Sequence, residues 1–315
     1  MSELKDEALV QHLAKKGIDD KMVMGHPAGL FVLFFTEMWE RFSYYGMRAL
    51  LTVFLISEIT KGGWGWDNAK AMQLYALYTG LVYLTPLLGG IIADKLMGYK
   101  NAIILGALVM TLGHAAMALE GISPNYFYAG LVLMILGNGL FKPNISSMVG
   151  QLYPDSSSKK DAGYTIFYMG INAGAFLGML LCGYIGEKVG WHYGFGLAGV
   201  FMFFGMLQFY FGHKIFGVIG IKPSEEKEIQ ANNLKNNVAQ EKEEVLPGNV
   251  VRDRLIVVAV LMFASLFFFF AFEQAGGSMT IFAKDFTQRS LEGNAAVIFK
   301  WVDAALTIFP ILIVT

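Results

Sequence analysis

The residues best suited to chemistry lie on one face of a single apolar segment. They recur at i, i+3, i+4, i+7, i+8 and i+11, and they are Glu37, Glu40, Arg41, Tyr44, Tyr45 and Arg48. An ionisable group near the centre of a bilayer costs about 2.5–3.5 kcal/mol, so this face should point into a protein interior or a watery cavity. Two carboxylates beside arginines could exchange protons as their pairing changes. The alternative is a structural lattice in which Glu37 pairs with Arg41.

A second candidate is Lys142, which lies in the run Gly-Asn-Gly-Leu-Phe-Lys-Pro-Asn of another apolar segment. An ammonium group at membrane depth needs an acceptor and often marks the path of a ligand or an ion. The alternative is a capped kink, because Pro143 frees a backbone carbonyl and bends the helix. Glu273, which follows an aromatic run in a later segment, is our candidate to balance Lys142.

Other polar and small residues in the apolar segments give weaker signals. Tyr168 and Asn172 share a helix face, and a cavity role for Asn172 stays open. Tyr83 is either an interfacial anchor or part of a cavity wall. Spacing of four predicts close helix packing, rather than chemistry, for Gly170, Gly174 and Gly178.

The segments that carry these residues are predicted to be membrane helices. Of 315 residues, 55% are apolar and only 16% are charged, and the mean hydropathy of +0.49 excludes an ordinary water-soluble globule. A helix needs about 20 largely apolar residues to cross the hydrocarbon core. Eight stretches qualify, at roughly 29–58, 71–93, 101–120, 126–151, 162–186, 191–219, 255–283 and 297–315.

The sequence lacks the signatures of several other classes of protein. It has no Gly-rich phosphate loop, no metal-spaced set of Cys and His residues and no nucleophile elbow. We therefore expect no enzymatic activity, no cofactor and no direct use of ATP. The formal net charge of -1 gives no basic footprint for nucleic acid. Energy for any transport across the membrane would have to come from an ion gradient, and buried carboxylates favour protons.

The charged residues divide the chain into four parts. We expect a cytoplasmic N-terminal segment at 1–28, a six-helix transmembrane bundle at 29–220, a cytoplasmic linker at 221–254 and the first helices of a second bundle at 255–315. Lysines are concentrated in the first and third parts, which places both in the cytoplasm by the positive-inside rule. The last apolar stretch runs to Thr315 without a closing loop, so we expect an incomplete second bundle and a truncated chain.

Four motifs, in order along the chain, resemble those of the proton-dependent oligopeptide transporters, a branch of the major facilitator superfamily. The first resembles the family's ExxER motif and continues to Tyr45 and Arg48. The motifs are Glu-Met-Trp-Glu-Arg at 37–41, Gly-Gly-Ile-Ile-Ala-Asp at 89–94, Phe-Lys-Pro-Asn at 141–144 and Phe-Tyr-Met-Gly-Ile-Asn-Ala-Gly at 167–174. The likeness is most specific in the N-terminal half.

The resemblance implies an all-α polytopic membrane protein that imports di- and tripeptides together with protons by alternating access. It implies a complete N-terminal six-helix bundle and a C-terminal bundle that is only partly present. The residues implied to couple protons are Glu37, Glu40, Arg41 and Glu273. The residues implied to bind peptide are Tyr45, Arg48, Tyr83, Lys142 and Asn172. The complete protein would be a monomer in the cell membrane, with protons as its coupling ion and no cofactor.

Two alternatives keep the same fold. One is a proton-coupled transporter of another anion, such as nitrate. The other is a non-transporting receptor, whose ligand binding would not depend on Glu37. Peptide is preferred because Tyr45, Arg48 and Lys142 are all present.

Overall fold

The structure, a computed structural model, describes residues 2–222, 248–288, 291–299 and 301–302, together with residues 224, 225, 228, 229 and 232. Its principal helices are α1 (Ser2–Lys15), α2 (Ala28–Ile56), α3 (Asn68–Ile92), α4 (Gly98–Met117), α5 (Pro124–Gln151), α6 (Lys159–Lys188), α7 (Trp191–Gly212), α8 (Gly248–Phe272) and α9 (Ser278–Phe286). Most of the linker predicted at 221–254, and most of the span predicted at 297–315, lie outside the described residues.

The chain enters the bundle through α1 and a short hairpin. Leu9 and Leu13, one helical turn apart on α1, are fully buried. The hairpin pairs β1 (Met22–Val23) with β2 (His26–Pro27) in antiparallel register. Both turn residues, Met24 and Gly25, have positive φ, as a two-residue type I′ turn requires. The hairpin thus leads directly into α2.

Helix α2 lies at the centre of a bundle formed by α2–α7. Nineteen of its 29 residues are buried, including every member of the ionisable stripe except Tyr45, which is half-buried. It packs mainly against α6 and α7, while α4 packs against α5 and α7, and α3 packs against α5. The expectation that the stripe faces a protein interior is therefore confirmed.

Small residues bring α6 against α2. Gly174 and Gly178 are buried on the face of α6 that meets α2. A Cβ atom on Gly174 would overlap the carbonyl oxygen of Met38, and one on Gly178 would overlap that of Phe42. These glycines allow the two backbones to approach closely, so the packing role predicted from their spacing is confirmed.

Within the described residues, four segments are long and apolar enough to cross a membrane. They are Asn68–Met117, Lys159–Lys188, Trp191–Phe216 and Gly248–Phe286. The first contains both α3 and α4, which are joined by a π-helical turn at Ala93–Met97. Helix α2 falls outside this set because it carries Glu37, Glu40, Arg41 and Arg48, all of which are buried.

The chain divides into two compact units, residues 1–255 and 256–315. In the second unit, α8 ends in a 3-10 turn at Glu273–Gly276, and α9 begins at Ser278. The sequence predicted one span over 255–283, whereas the structure interrupts it at this turn. The paired glycines Gly276 and Gly277 account for the break, since glycine weakens a helix interior by about 1 kcal/mol relative to alanine.

Candidate functional site

Three ionisable residues form a buried ion-pair network on one face of α2. Glu37 and Glu40 are completely buried, and Arg41 is 5% exposed. Arg41 Nε lies 3.2 Å from Glu37 Oε1 and donates a closer hydrogen bond to Glu40 Oε2. The guanidinium thus lies between two carboxylates, Glu37 four residues before it and Glu40 immediately before it. The spacing of four brings Glu37 and Arg41 to one face of the helix.

Helix α5 supplies two further donors to the same carboxylates. Lys142 Nζ donates to Glu37 Oε1 at 3.0 Å, and Asn138 Nδ2 donates to Glu40 Oε1 at 3.1 Å. Asn138 and Lys142 are four residues apart, so both project from the same face of α5. Sequence reasoning singled out Lys142 but missed Asn138, although its position one turn before Lys142 was a usable signal.

A second cationic centre lies further along α2. Arg48 is 5% exposed, and its Nε donates to the hydroxyl of Tyr75 at 2.8 Å. Its guanidinium also lies 5.6 Å from the ring centroid of Tyr75 and 5.8 Å from that of Tyr45. The Tyr45 ring centroid is also 5.8 Å from the Arg41 guanidinium, so one aromatic ring lies near both arginines. Sequence reasoning did not identify Tyr75 as a partner of Arg48.

The remaining predicted site residues lie outside this buried network. Tyr83 on α3 is 52% exposed. Asn172 on α6 is exposed, and its Nδ2 donates to the Tyr168 carbonyl oxygen at 3.1 Å. Glu273 belongs to the second unit, at the start of the 3-10 turn there. Its pairing with Lys142 stays a prediction.

The network has a balance of charge that one proton can change. Glu37 and Glu40 offset Arg41 and Lys142, and all four groups are joined by hydrogen bonds or ion pairs. Removing one charge from a buried pair leaves its partner uncompensated at high cost. Protonation of Glu37 would therefore weaken its hold on both cations at once. The Lys142 side chain, which is 32% exposed, is the cation with access to the surface of the bundle.

Among the described residues, no group of three or more His, Cys, Asp or Glu side chains is arranged to hold a metal ion. The predicted absence of a cofactor stays a prediction. The described site offers carboxylates, fixed cations and hydrogen-bond donors.

Known proteins share this fold and much of this sequence. The POT family matches residues 100–245. A di-/tripeptide transporter of Lactococcus lactis subsp. cremoris is 43% identical over 216 residues, which cover 67% of this chain and 43% of that protein. The peptide transporter YePEPT of Yersinia enterocolitica subsp. palearctica serotype O:3 (strain YE-P4) is 33% identical over 343 residues, covering 92% of this chain and 66% of that protein.

A solved structure extends the likeness to three dimensions. The crystal structure of a mutant peptide transporter POT in complex with alafosfalin matches with a TM-score of 0.74 and 35% identity, covering 90% of this chain and 65% of that chain. The fold and these likenesses thus define a multi-pass membrane protein, all-α and with the major facilitator fold, whose relatives are transporters.

The chain belongs to the POT family. It spans 43% of the Lactococcus transporter and 66% of the Yersinia transporter, which is less than the whole of either relative.

Proposed function

We propose that the complete protein imports di- and tripeptides together with protons, by alternating access. Its relatives include a di-/tripeptide transporter and a peptide transporter, and their names support the substrate class. The coupling ion, the cell membrane as the location, a cytoplasmic N-terminus and a monomeric state all belong to this proposal.

The observation that carries the proposal is the shared position of Glu37 between Arg41 and Lys142. While Glu37 is ionised, its carboxylate accepts a hydrogen bond of 3.0 Å from the Lys142 ammonium group. When Glu37 takes up a proton, its negative charge is lost. Lys142 then becomes able to bind the carboxylate terminus of a peptide. Proton and peptide thereby favour each other's binding, which is the reciprocal coupling that symport requires.

The other candidate residues take roles that follow from their chemistry. Arg48 is a fixed cation held by Tyr75, and with Lys142 it would attract the peptide carboxylate. Tyr45, Tyr83 and Asn172 would line the peptide site, and Glu40 would set the charge around Arg41. Glu273 would be the protonatable partner of Lys142 after Glu37 releases it.

The test is uptake of labelled dialanine by proteoliposomes that hold the native-length protein, with acid outside and a negative interior. We expect accumulation above the external concentration, and we expect a protonophore and Glu37→Gln each to abolish it. Glu58→Gln is the matched control because Glu58 is an exposed glutamate that pairs with Lys61. This control should accumulate dialanine as the natural protein does.

Competition identifies the substrate class in the same assay. Unlabelled dialanine should suppress uptake and nitrate should not. If nitrate suppresses uptake and unlabelled dialanine does not, the substrate would be another anion and not a peptide. Binding of dialanine without accumulation, unchanged by Glu37→Gln, would instead indicate a receptor.

A further inference from the structure

A groove rich in basic side chains lies in the first unit, at the end of the bundle where α5 stops and α6 begins. Its volume is about 1140 Å³. It is lined by α1, by the first turn of α4, by the end of α5 and by the connection to α6. The basic residues that line it are His12, Lys15, Lys16 and Lys160. None of them belongs to the buried ion-pair network of α2.

The charges of three basic side chains, Lys160, His12 and Lys16, act on Asp155, which also lines the groove. Lys160 Nζ donates to Asp155 Oδ1 at 2.6 Å. This hydrogen bond and the charge of Lys160 lower the pKa of the Asp155 carboxyl group, and the charges of His12 and Lys16 lower it further. Asp155 is the only acidic side chain among the described residues that line the groove, and Lys160 already pairs with it. The lining therefore carries a positive excess.

Hydroxyl and amide groups accompany these cations. Tyr99, Ser147, Gln151 and Ser156 all line the groove. Phosphate oxygens accept several hydrogen bonds at once, and bonds from cationic donors are about twice as strong as neutral ones. A set of cations with nearby neutral donors is therefore suited to a phosphate group.

The position of the groove favours a membrane source for that phosphate. Tyr99 lies in the first turn of α4, and Gln151 is the last residue of α5, so the groove opens where membrane helices end. Basic pockets between transmembrane helices at this level bind the head groups of anionic lipids.

We propose that this groove binds the phosphate of an anionic phospholipid head group. The proposal does not rest on peptide transport, since it uses a different end of the bundle and different residues.

The test measures lipid that is retained by the native-length protein. The protein is placed in nanodiscs of phosphatidylcholine mixed with phosphatidylglycerol, and bound phosphatidylglycerol is counted by native mass spectrometry after release. We expect Lys16→Gln and Lys160→Gln each to weaken retention about fivefold, because each basic side chain near an anionic surface contributes that much. Lys61→Gln is the matched control. Lys61 follows the C-terminal end of α2, does not line the groove and is 69% exposed.

Asp155→Asn should change the retention of phosphatidylglycerol in the opposite direction. It releases Lys160 from its ion pair, so we expect tighter retention of phosphatidylglycerol. Equal retention by the natural protein, the Lys16→Gln/Lys160→Gln double variant and Asp155→Asn would overturn the proposal. Unchanged thermal midpoints would show that the variants are folded.

A second arm separates lipid from soluble phosphate. Inorganic phosphate is added to the protein in nanodiscs of phosphatidylcholine alone, and the thermal midpoint is recorded. Lipid as the source predicts little stabilisation by phosphate. Strong stabilisation that Lys16→Gln removes, without retention of phosphatidylglycerol, would overturn the assignment to lipid and leave a site for free phosphate.

Discussion

Glu37 is the residue on which the buried charges depend. Its Oε1 atom accepts a hydrogen bond from Lys142 at 3.0 Å and lies 3.2 Å from Arg41 Nε. One carboxylate thus pairs with a cation on its own helix, α2, and with a cation on the neighbouring helix α5. Arg41 has a second carboxylate in Glu40, whereas the described contact of Lys142 in this network is with Glu37. A change at Glu37 is therefore felt by both cations.

Glu37→Gln should lower stability more than Lys142→Met. Breaking a buried ion pair from one side costs about 3–5 kcal/mol because the partner charge stays buried. Lys142 is 32% exposed, so water compensates part of any change there, and Arg41 still holds Glu37. Thermal midpoints of the purified protein in detergent measure the difference. The double variant Glu37→Gln/Lys142→Met should lose less stability than the sum of the two single losses. A loss in the double variant that exceeds this sum would contradict the pairing.

His26 should give the protein a pH-dependent stability. Burial and the nearby charge of Lys159 lower the pKa of His26, whose Nδ1 lies 2.9 Å from the Tyr153 hydroxyl. The folded state therefore favours the neutral ring. The unfolded chain binds more protons below the ordinary histidine pKa of about 6.5, so this stability is complete above that value and falls as the pH drops below it.

Thermal midpoints at about pH 7.5 and about pH 5.5 test this effect. We expect a fall towards acid in the natural protein and a smaller fall in His26→Asn. Tyr153→Phe removes the hydroxyl but keeps the buried ring of His26, so it should retain most of the fall. Identical pH dependence in His26→Asn and the natural protein would show that His26 does not contribute.

Sequence predicts local pairs better than distant ones. The Glu37–Arg41 ion pair follows from helical spacing and is present. The Lys142–Glu37 contact joins residues 105 positions apart and depends on how α5 packs beside α2. The pairing of Arg48 with Tyr75 is of the same kind. Periodicity fixes the face of each side chain but not the helix that lies opposite it.

At the scale of elements, glycine residues allow α2 and α6 to pack closely together. Gly46 on α2 meets Cys182, and Gly178 on α6 meets the backbone of Phe42. Without a hydrophobic drive between helices in lipid, this close contact supplies the packing energy. The contact also holds the Glu37–Arg41 face of α2 in place.

Gly178→Ala should separate the two helices. The added methyl group would overlap the Phe42 carbonyl oxygen, which cannot rotate away as a side chain could. Overpacking of this kind costs about 1–3 kcal/mol or more. Gly183→Ala on the same helix is the matched control, because nothing lies within 4 Å of its added Cβ atom. It should be neutral or stabilise by up to about 1 kcal/mol, since alanine favours helix.

The thermal midpoint and the elution profile in detergent distinguish these two glycines. We expect a lower midpoint for Gly178→Ala alone. Equal midpoints for the two variants would contradict the close approach of α6 to α2.

The sequence predicted the membrane helices well but not every element. Hydropathy placed the first span at 29–58, and α2 is Ala28–Ile56. Helix α1 was missed because the buried pair Leu9 and Leu13 stands among charged residues in a segment of low hydropathy. The break at Glu273–Gly276 was missed because a hydropathy window does not resolve a single turn of glycine-weakened helix.

At the scale of the whole molecule, coupling requires that the two facing states bind proton and peptide differently. Alternating access supplies those states by rocking one bundle against another about a midplane site. The ion-pair network lies on α2 and α5, so a proton at Glu37 acts on two helices of one bundle at once. The proposed transport cycle would have to change the charge balance there.

The most direct measurement compares two dialanine fluxes in the same proteoliposomes, for the native-length protein and for Glu37→Gln. One flux is accumulation driven by a proton gradient, and the other is exchange of labelled for unlabelled dialanine at equal pH. If Glu37 couples the proton, the variant loses accumulation and keeps exchange, because exchange needs no net proton movement. Accumulation by Glu37→Gln at the natural level would contradict the account.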